Sequence, residues 1–203
     1  MQNLILYAIS YLLGSIPSGL ILAKIFGHVD IKKEGSKSIG ATNVLRVLKQ
    51  TNPKLAKKLA ILTVVCDVLK GVLPLIVASL LGASQSVLWT MAVLSVAGHC
   101  FSIFLGFQGG KGVATGAGVL AFFLPVDIII ALVVWFLVGK FLKISSLASL
   151  CALIALIASS FIIHPELDEI YTHAPILIIA FLVVYKHIPN IVRLLSGKEQ
   201  KVV

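Results

Sequence analysis

Residues 112–142 read GVATGAGVLAFFLPVDIIIALVVWFLVGKFL, an apolar run that Pro125 and Asp127 interrupt after about a dozen residues. Taken as one bent crossing, it would place Lys140 and Lys143 on the outer side and export the basic C-terminus. Taken as two short helices in a hairpin, it keeps the charge of every later loop consistent. The hairpin reading gives apolar runs at 3–26, 59–81, 86–107, 112–124, 126–142, 146–163 and 174–186. At about 20 residues per full crossing most of these can span a bilayer. The predicted fold is an all-α integral membrane protein of seven transmembrane helices, N-terminus outside and C-terminus cytosolic, with short amphipathic cytosolic segments and a single domain over 1–203.

Charge supports that orientation. The inner segments 27–58, 108–111, 140–145 and 186–203 hold 15 of the 17 Lys and Arg residues. Of the other two, Lys24 sits at the cytosolic end of the first run and Lys70 lies beside Asp67 in the second. The outer segments 82–86, 124–127 and 164–173 have no Lys or Arg and carry Asp127, Glu166, Asp168 and Glu169. This is the positive-inside pattern.

With 59% hydrophobic residues, 12% charged residues and a mean hydropathy of +1.06, the chain is neither a soluble domain nor a disordered one. Its net charge of +9 gathers at the ends of apolar runs, so no nucleic-acid partner is expected. Cys66, Cys100 and Cys151 are scattered through apolar runs, and neither a disulfide framework nor a metal site follows. The run Leu4 to Phe26 follows no basic segment and reads as a retained span. No internal repeat is evident, and no span carries regularly spaced Arg.

The informative polar segments all lie on the predicted inner side. In Gly109-Gly110-Lys111-Gly112, glycines let backbone N–H groups approach an oxyanion, the next helix points its positive end at the same place, and Lys111 adds a full charge. The Walker spacing is absent. A tight turn with a snorkelling lysine is the competing interpretation. Residues 41–49 fit a short amphipathic helix with Thr42, Arg46 and Lys49 on one face and Val44, Leu45 and Leu48 toward another. Ser36, Ser38, Thr42 and Asn43 offer neutral donors around Gly40, which is able to adopt a left-handed conformation, and Arg46 suits phosphate. An interfacial helix holding anionic lipid fits that segment equally well.

Ser146 and Ser149 are a turn apart, with capping expected of Ser145 or Ser146 and back-bonding to a carbonyl expected of Ser149. Lys186, Asn190 and Arg193 share a helical face, His187 and Asn190 are three apart, and Pro189 should kink the exit of the last run. Gly14 to Gly19 with Pro17 suggests close helix packing and a kink, while His99 and the Asp67/Lys70 pair read as structural. No Ser-His-Asp set assembles on the inner face, and His164 with Glu169 is the nearest approach to a His-x4-acid pattern, on the outer side. An anion site at the membrane surface remains, suited to a phosphorylated water-soluble substrate meeting a lipid. A transporter or channel for a phosphorylated metabolite is the alternative, although outer segments without cations make a second anion site hard to build.

In order along the chain, these segments resemble the bacterial acyl-phosphate:glycerol-3-phosphate acyltransferases. The resemblance includes Leu13-Gly-Ser-Ile-Pro-Ser-Gly19, the first-loop motif, Asp67-Val-Leu-Lys-Gly71 with Pro74, Ala97 to Thr115 and the C-terminal motif. It implies transfer of a fatty acyl group from acyl phosphate to the 1-hydroxyl of glycerol 3-phosphate, giving lysophosphatidate and inorganic phosphate in phospholipid synthesis. It implies no cofactor, metal or soluble carrier, and a monomer in the bacterial inner membrane with its site facing the cytosol. Ser36, Arg46, Lys111, His187 and Asn190 would contact glycerol 3-phosphate and carry catalysis. Gly40, Ala41, Thr42, Asn43, Ser149, Gly109, Gly110 and Gly112 would hold the acyl phosphate, with Ser146, Arg193 and Glu199 as additional candidates. Where the family commonly reads Gly-Ser-Gly-Asn, this chain has Gly35-Ser36-Lys37-Ser38, and Ser102 and Gln108 replace a usual Pro and a usual basic residue.

Overall fold

A computed structural model describes residues 2–167 and 169–201; Asp168, counted above among the outer acids, lies outside the described residues. The chain forms α1 (Gln2–Ser15), α2 (Ser18–Gly27), α3 (Ala41–Leu48), α4 (Pro53–Leu80), α5 (Gln85–Cys100), α6 (Val113–Phe123), α7 (Pro125–Leu142), α8 (Ser145–Ile163) and α9 (Ala174–Leu195), with a 3-10 turn over Ile103–Leu105. The described residues include no strand. Among the described residues, six stretches are long and apolar enough to cross a membrane: Asn3–Gly27, α4, Gln85–Leu105, α7, α8 and α9. α6, with 11 residues, rises only about 16 Å, short of a bilayer core of roughly 30 Å. The run 112–142 is two helices separated at Leu124.

The first run is broken where Pro17 withholds an N–H, which separates α1 from α2. α1 and α5 then pack almost backbone to backbone: a Cβ on Gly14 would run into the Ser95 carbonyl, and one on Gly98 into the Tyr11 carbonyl. Contact this close lets hydroxyls bond across the helices. Ser10 Oγ donates to the Met91 carbonyl at 2.7 Å, and Ser102 Oγ donates to the Ser15 carbonyl at 2.6 Å. α6 lies on α4 in the same manner, with Gly118 against the Val68 backbone and Gly71 against Thr115. Small residues are what allow this packing where lipid removes the hydrophobic drive between helices.

One core joins α4, α5, α6 and α9 through Leu75, Leu88, Met91, Val96, Val119, Ile176 and Ile179. A second core, comprising Leu20, Ile31, Ile39, Val44, Leu48 and Leu59, docks the first loop and α3 onto α2 and α4. Large apolar side chains such as Leu62, Val77, Ile129, Phe136, Ile154 and Phe181 remain exposed on the outside of the bundle, a surface suited to lipid.

The last helix runs beyond the apolar stretch that ends at residue 186: α9 continues through Pro189 to Leu195, and His187 and Asn190 are packed inside the bundle. On the opposite side of the bundle, His164 Nε2 faces Asp127 Oδ2 at 3.1 Å, which brings the end of α8 to the start of α7, where the fully buried Asp127 needs a partner.

Candidate functional site

The first loop is organised by one side chain. Asn43 is almost fully buried, and its amide nitrogen donates to the carbonyls of Ile31 at 2.9 Å, Glu34 at 3.2 Å and Ser38 at 2.8 Å. Its Oδ1 accepts from the Ser36 N–H at 2.8 Å. The loop thus curls around the start of α3 and presents Ser36, Ser38, Thr42 and Arg46 to a common cavity. Gly40 is not left-handed: it is the extended N-cap of α3 at φ −83°, and the left-handed positions are Gly35 and Lys37, both at φ +58°. α3 is amphipathic as predicted, but its apolar side is docked in the second core, and Lys49 caps its C-terminus away from the cavity.

The glycine turn follows the 3-10 turn. The Gly110 N–H donates to the His99 carbonyl at 2.9 Å. A Cβ on Gly109 would meet the backbone of His99 and Cys100, and one on Gly110 the His99 imidazole. Gly112, at φ +81°, is the N-cap of α6, and Lys111 lines the cavity just before it. Only glycines fit a turn pressed this tightly onto the end of α5.

The start of α8 forms another wall. Ser145 and Ser146 are not caps, since Ile144 holds the N-cap position without a side-chain bond. Their hydroxyls reach sideways instead: Ser145 Oγ lies 3.2 Å from Thr42 Oγ1, and Ser146 Oγ donates to Glu199 Oε1 at 2.6 Å. Ser149 Oγ back-bonds to the Ser145 carbonyl at 3.0 Å, as its position suggests, and accepts from Trp135 Nε1 at 3.3 Å.

On α9, His187 and Asn190 are both buried and both line the cavity. His187 Nδ1 sits 2.8 Å from the Val183 carbonyl, which can only accept, so Nδ1 carries the hydrogen and Nε2 is the free acceptor of the neutral ring. Beyond α9 the tail turns at Gly197, φ +67°, and inserts Glu199 into the cavity. Its carboxylate accepts from Ser146, from Asn190 Nδ2 at 2.5 Å and from Arg193 Nε at 2.6 Å. Lys186, expected on the same face as Asn190 and Arg193, departs from it and lies over the Phe101 ring at 4.6 Å.

These four segments enclose one cavity of about 670 Å³. A smaller apolar pocket of about 80 Å³ adjoins it between α6, α7, α8 and α9, lined by residues including Leu120, Ile128, Leu156 and Ile179. Three helix N-termini meet at the cavity, those of α3, α6 and α8, and none has a side-chain cap. Their unsatisfied N–H groups favour an anion there. Burial pushes the Lys111 ammonium down to about 8; Glu199 opposes that shift, and Arg193 and Arg46 add to it. Burial raises Glu199, but the hydrogen bonds from Ser146, Asn190 and Arg193 outweigh it and hold the carboxyl below its usual value. The result is a cationic, donor-rich chamber with an apolar annex.

Every site residue expected from the sequence lies on or beside this chamber, although the Asn43 side chain is committed to the loop backbone. Asp67, His99 and Trp135 also line it. The sequence presents the first two as a structural group, an acid, a lysine one turn on and a histidine inside apolar runs, where ionisable groups are costly, and nothing in it singles out Trp135.

Residues 4–197 match the family model described as glycerol-3-phosphate acyltransferase. The chain is 98% identical over 203 residues to the glycerol-3-phosphate acyltransferase of Campylobacter concisus (strain 13826), covering 100% of both chains. It is 64% identical, again over 100% of both, to the protein of that name from Campylobacter lari. Among solved structures, it is similar to the integral membrane glycerol 3-phosphate acyltransferase PlsY in its glycerol 3-phosphate form, with a TM-score of 0.86, 35% identity and coverage of 99% of this chain and 96% of that one. The lysophosphatidic acid form of the same protein matches with a TM-score of 0.85 at 35% identity, covering 99% and 95%.

Proposed function

The chain belongs to the glycerol-3-phosphate acyltransferase family, and from that premise we propose that it acylates the 1-hydroxyl of glycerol 3-phosphate with acyl phosphate as donor. The observation that carries the donor assignment is the convergence of three uncapped helix N-termini with Lys111, Arg46 and Arg193 beside an apolar pocket. Such a chamber suits two phosphates and a chain.

Ser36, Arg46, Lys111, His187 and Asn190 hold glycerol 3-phosphate. The N–H groups at Gly40 to Thr42 and the turn Gly109 to Gly112 face the phosphate of the donor, with Ser149 at the mouth of the apolar pocket. Asn43 serves the donor by fixing the loop, and Glu199 serves the acceptor by bracing Asn190 and Arg193. An acyl phosphate is a mixed anhydride with a good leaving group, so positioning and charge stabilisation carry most of the catalysis. The acceptor hydroxyl attacks the acyl carbon, the bond from that carbon to the bridging oxygen breaks, and inorganic phosphate leaves with the hydroxyl proton on one of its oxygens. The products are lysophosphatidate and phosphate in equal amounts.

The same reading makes α6 and the glycine turn a seventh, abbreviated crossing, with the chamber facing the cytosol from the inner membrane and the protein acting as a monomer. Cation-poor segments at 82–86, 124–127 and 164–173 support that orientation.

The test uses the purified full-length protein in detergent with glycerol 3-phosphate and either acyl phosphate or acyl-CoA. Equal yields of lysophosphatidate and phosphate from acyl phosphate alone, abolished by Lys111→Ala, are expected. Product from acyl-CoA, or wild-type turnover in the variant, would overturn the donor or the Lys111 assignment respectively. For orientation, Glu166→Cys should react with an impermeant maleimide from outside cells, and Lys198→Cys only after permeabilisation.

A further inference from the structure

A chain of buried polar groups runs from the α1–α2 break to the underside of the glycine turn. Lys70 Nζ donates to the Ile16 carbonyl at 2.7 Å, the carbonyl that precedes Pro17. The same ammonium pairs with Asp67 Oδ1 at 2.8 Å. Asp67 Oδ1 in turn faces His99 Nδ1 at 3.8 Å. The side chains of all three are at most 7% exposed. His99 touches the turn twice, through its carbonyl bonded to the Gly110 N–H at 2.9 Å and through its imidazole under the Gly110 Cα.

A structural ion pair explains Lys70 and Asp67 but leaves two facts over. Asp67 and His99 both line the chamber, and His99 Nδ1, although buried, lacks a hydrogen-bond partner. A turn containing three glycines has no stiffness of its own. Its register comes from whatever it rests on, and that support is the His99 ring, with the Asp67 carboxylate beside it at 3.8 Å.

We propose that Asp67 and His99 are positioning residues for the reaction: they set the height and angle of the turn Gly109 to Gly112 and so fix where Lys111 presents its ammonium to glycerol 3-phosphate. The proposal rests on the assignment of Lys111 to the acceptor phosphate. Both act through the turn rather than on the reacting atoms. A displaced turn would weaken acceptor binding more than donor binding, since the turn gives the acceptor the full charge of Lys111 but gives the donor only backbone N–H groups, which α3 and α8 also supply.

The experiment is steady-state kinetics on a four-member cycle of wild type, His99→Asn, Lys111→Ala and the double variant, with both substrates varied and folding followed by size exclusion in detergent. His99→Asn is expected to raise the KM for glycerol 3-phosphate roughly 10- to 100-fold while the KM for acyl phosphate stays within about twofold. In the Lys111→Ala background it should add nothing, because residues acting through one another are not additive. Multiplicative losses would overturn the proposal, as would equal effects on both KM values. Asp67→Asn is the second variant and should show the same acceptor-selective pattern. Loss of fold in both variants, with Lys111→Ala still folded, would reduce the pair to architecture and overturn it as well. If Lys111→Ala leaves the acceptor KM unchanged, the assignment of Lys111 itself falls, an outcome distinct from a Lys111-sensitive KM with a multiplicative His99 effect.

Discussion

Asn190 donates its amide to the carboxylate of Glu199 at 2.5 Å, which fastens the chain after α9 back onto the wall of the chamber. The same carboxylate holds Arg193 and Ser146, so three donors are aligned by one acidic side chain. Glu199→Ala should release all three and lower kcat/KM for glycerol 3-phosphate by roughly 10- to 100-fold, in keeping with the cost of misplacing a binding group. Glu199→Gln, which keeps one acceptor oxygen, should be milder. Because hydrogen bonding lowers the Glu199 pKa, attachment of the tail is complete above the usual Glu range and is lost only as pH falls below it. Trypsin cleavage after Lys198 should therefore be slow in the wild type at neutral pH and fast in Glu199→Ala at the same pH.

Lys111 gives a second, alkaline signature. Burial pushes its ammonium down to about 8, and only the charged form attracts the acceptor phosphate. kcat/KM for glycerol 3-phosphate, which reports the free enzyme, should be level below about pH 8 and fall above it. A bound phosphate dianion raises the lysine pKa, so kcat should hold to higher pH than kcat/KM. Lys111→Arg, whose guanidinium stays charged throughout, should remove the alkaline limb whatever its effect on the maximum. An unchanged limb in that variant would assign it to another group.

Much of this architecture is legible in the sequence for definite reasons. The break between α6 and α7 is announced by Pro125 and Asp127 in an apolar run, and the four polar segments are visible because each interrupts an otherwise apolar chain. The rest depends on contacts between distant segments. Asn43 reads as a ligand residue because an amide in a Gly- and Ser-rich loop suits a phosphate. Only the fold shows that its hydrogen bonds go to Ile31, Glu34, Ser36 and Ser38. Ser145 and Ser146 read as caps because local sequence says nothing of Thr42 or Glu199 across the chamber. Asp127 and His164 are 37 residues apart with no spacing rule to join them.

The first loop contains a matched pair of backbone predictions. Gly35 and Lys37 both have φ +58°, and the left-handed region disfavours a side chain by about 1–2 kcal/mol. Lys37 stands where the family commonly has glycine, so Lys37→Gly should relieve that cost and stabilise the protein by up to about 1 kcal/mol after the entropy of glycine is subtracted. Gly35→Ala should do the opposite and more strongly, since its Cβ would also strike the Asn43 Oδ1 that holds Ser36. Thermal unfolding in detergent should move up for the first and down for the second, and the acceptor KM should rise only for the second.

Helix packing allows a similar contrast away from the chamber. Gly14 lets α1 lie against the Ser95 carbonyl of α5, and an added methyl would force the two helices apart and stretch the Ser10 and Ser102 bonds between them. Gly14→Ala should cost about 1–3 kcal/mol, the range for overpacking. Gly139, in α7, has as its nearest neighbour to an added Cβ the Ala148 methyl at 3.8 Å, which is ordinary contact. There the helix gains by replacing glycine, and Gly139→Ala should stabilise by up to about 1 kcal/mol. Both variants should keep wild-type kcat below their unfolding temperatures, because neither glycine lines the chamber. A Gly14→Ala protein that melts with the wild type would mean that α1 is free to slide on α5, and the close approach of the two helices would then contribute nothing to stability.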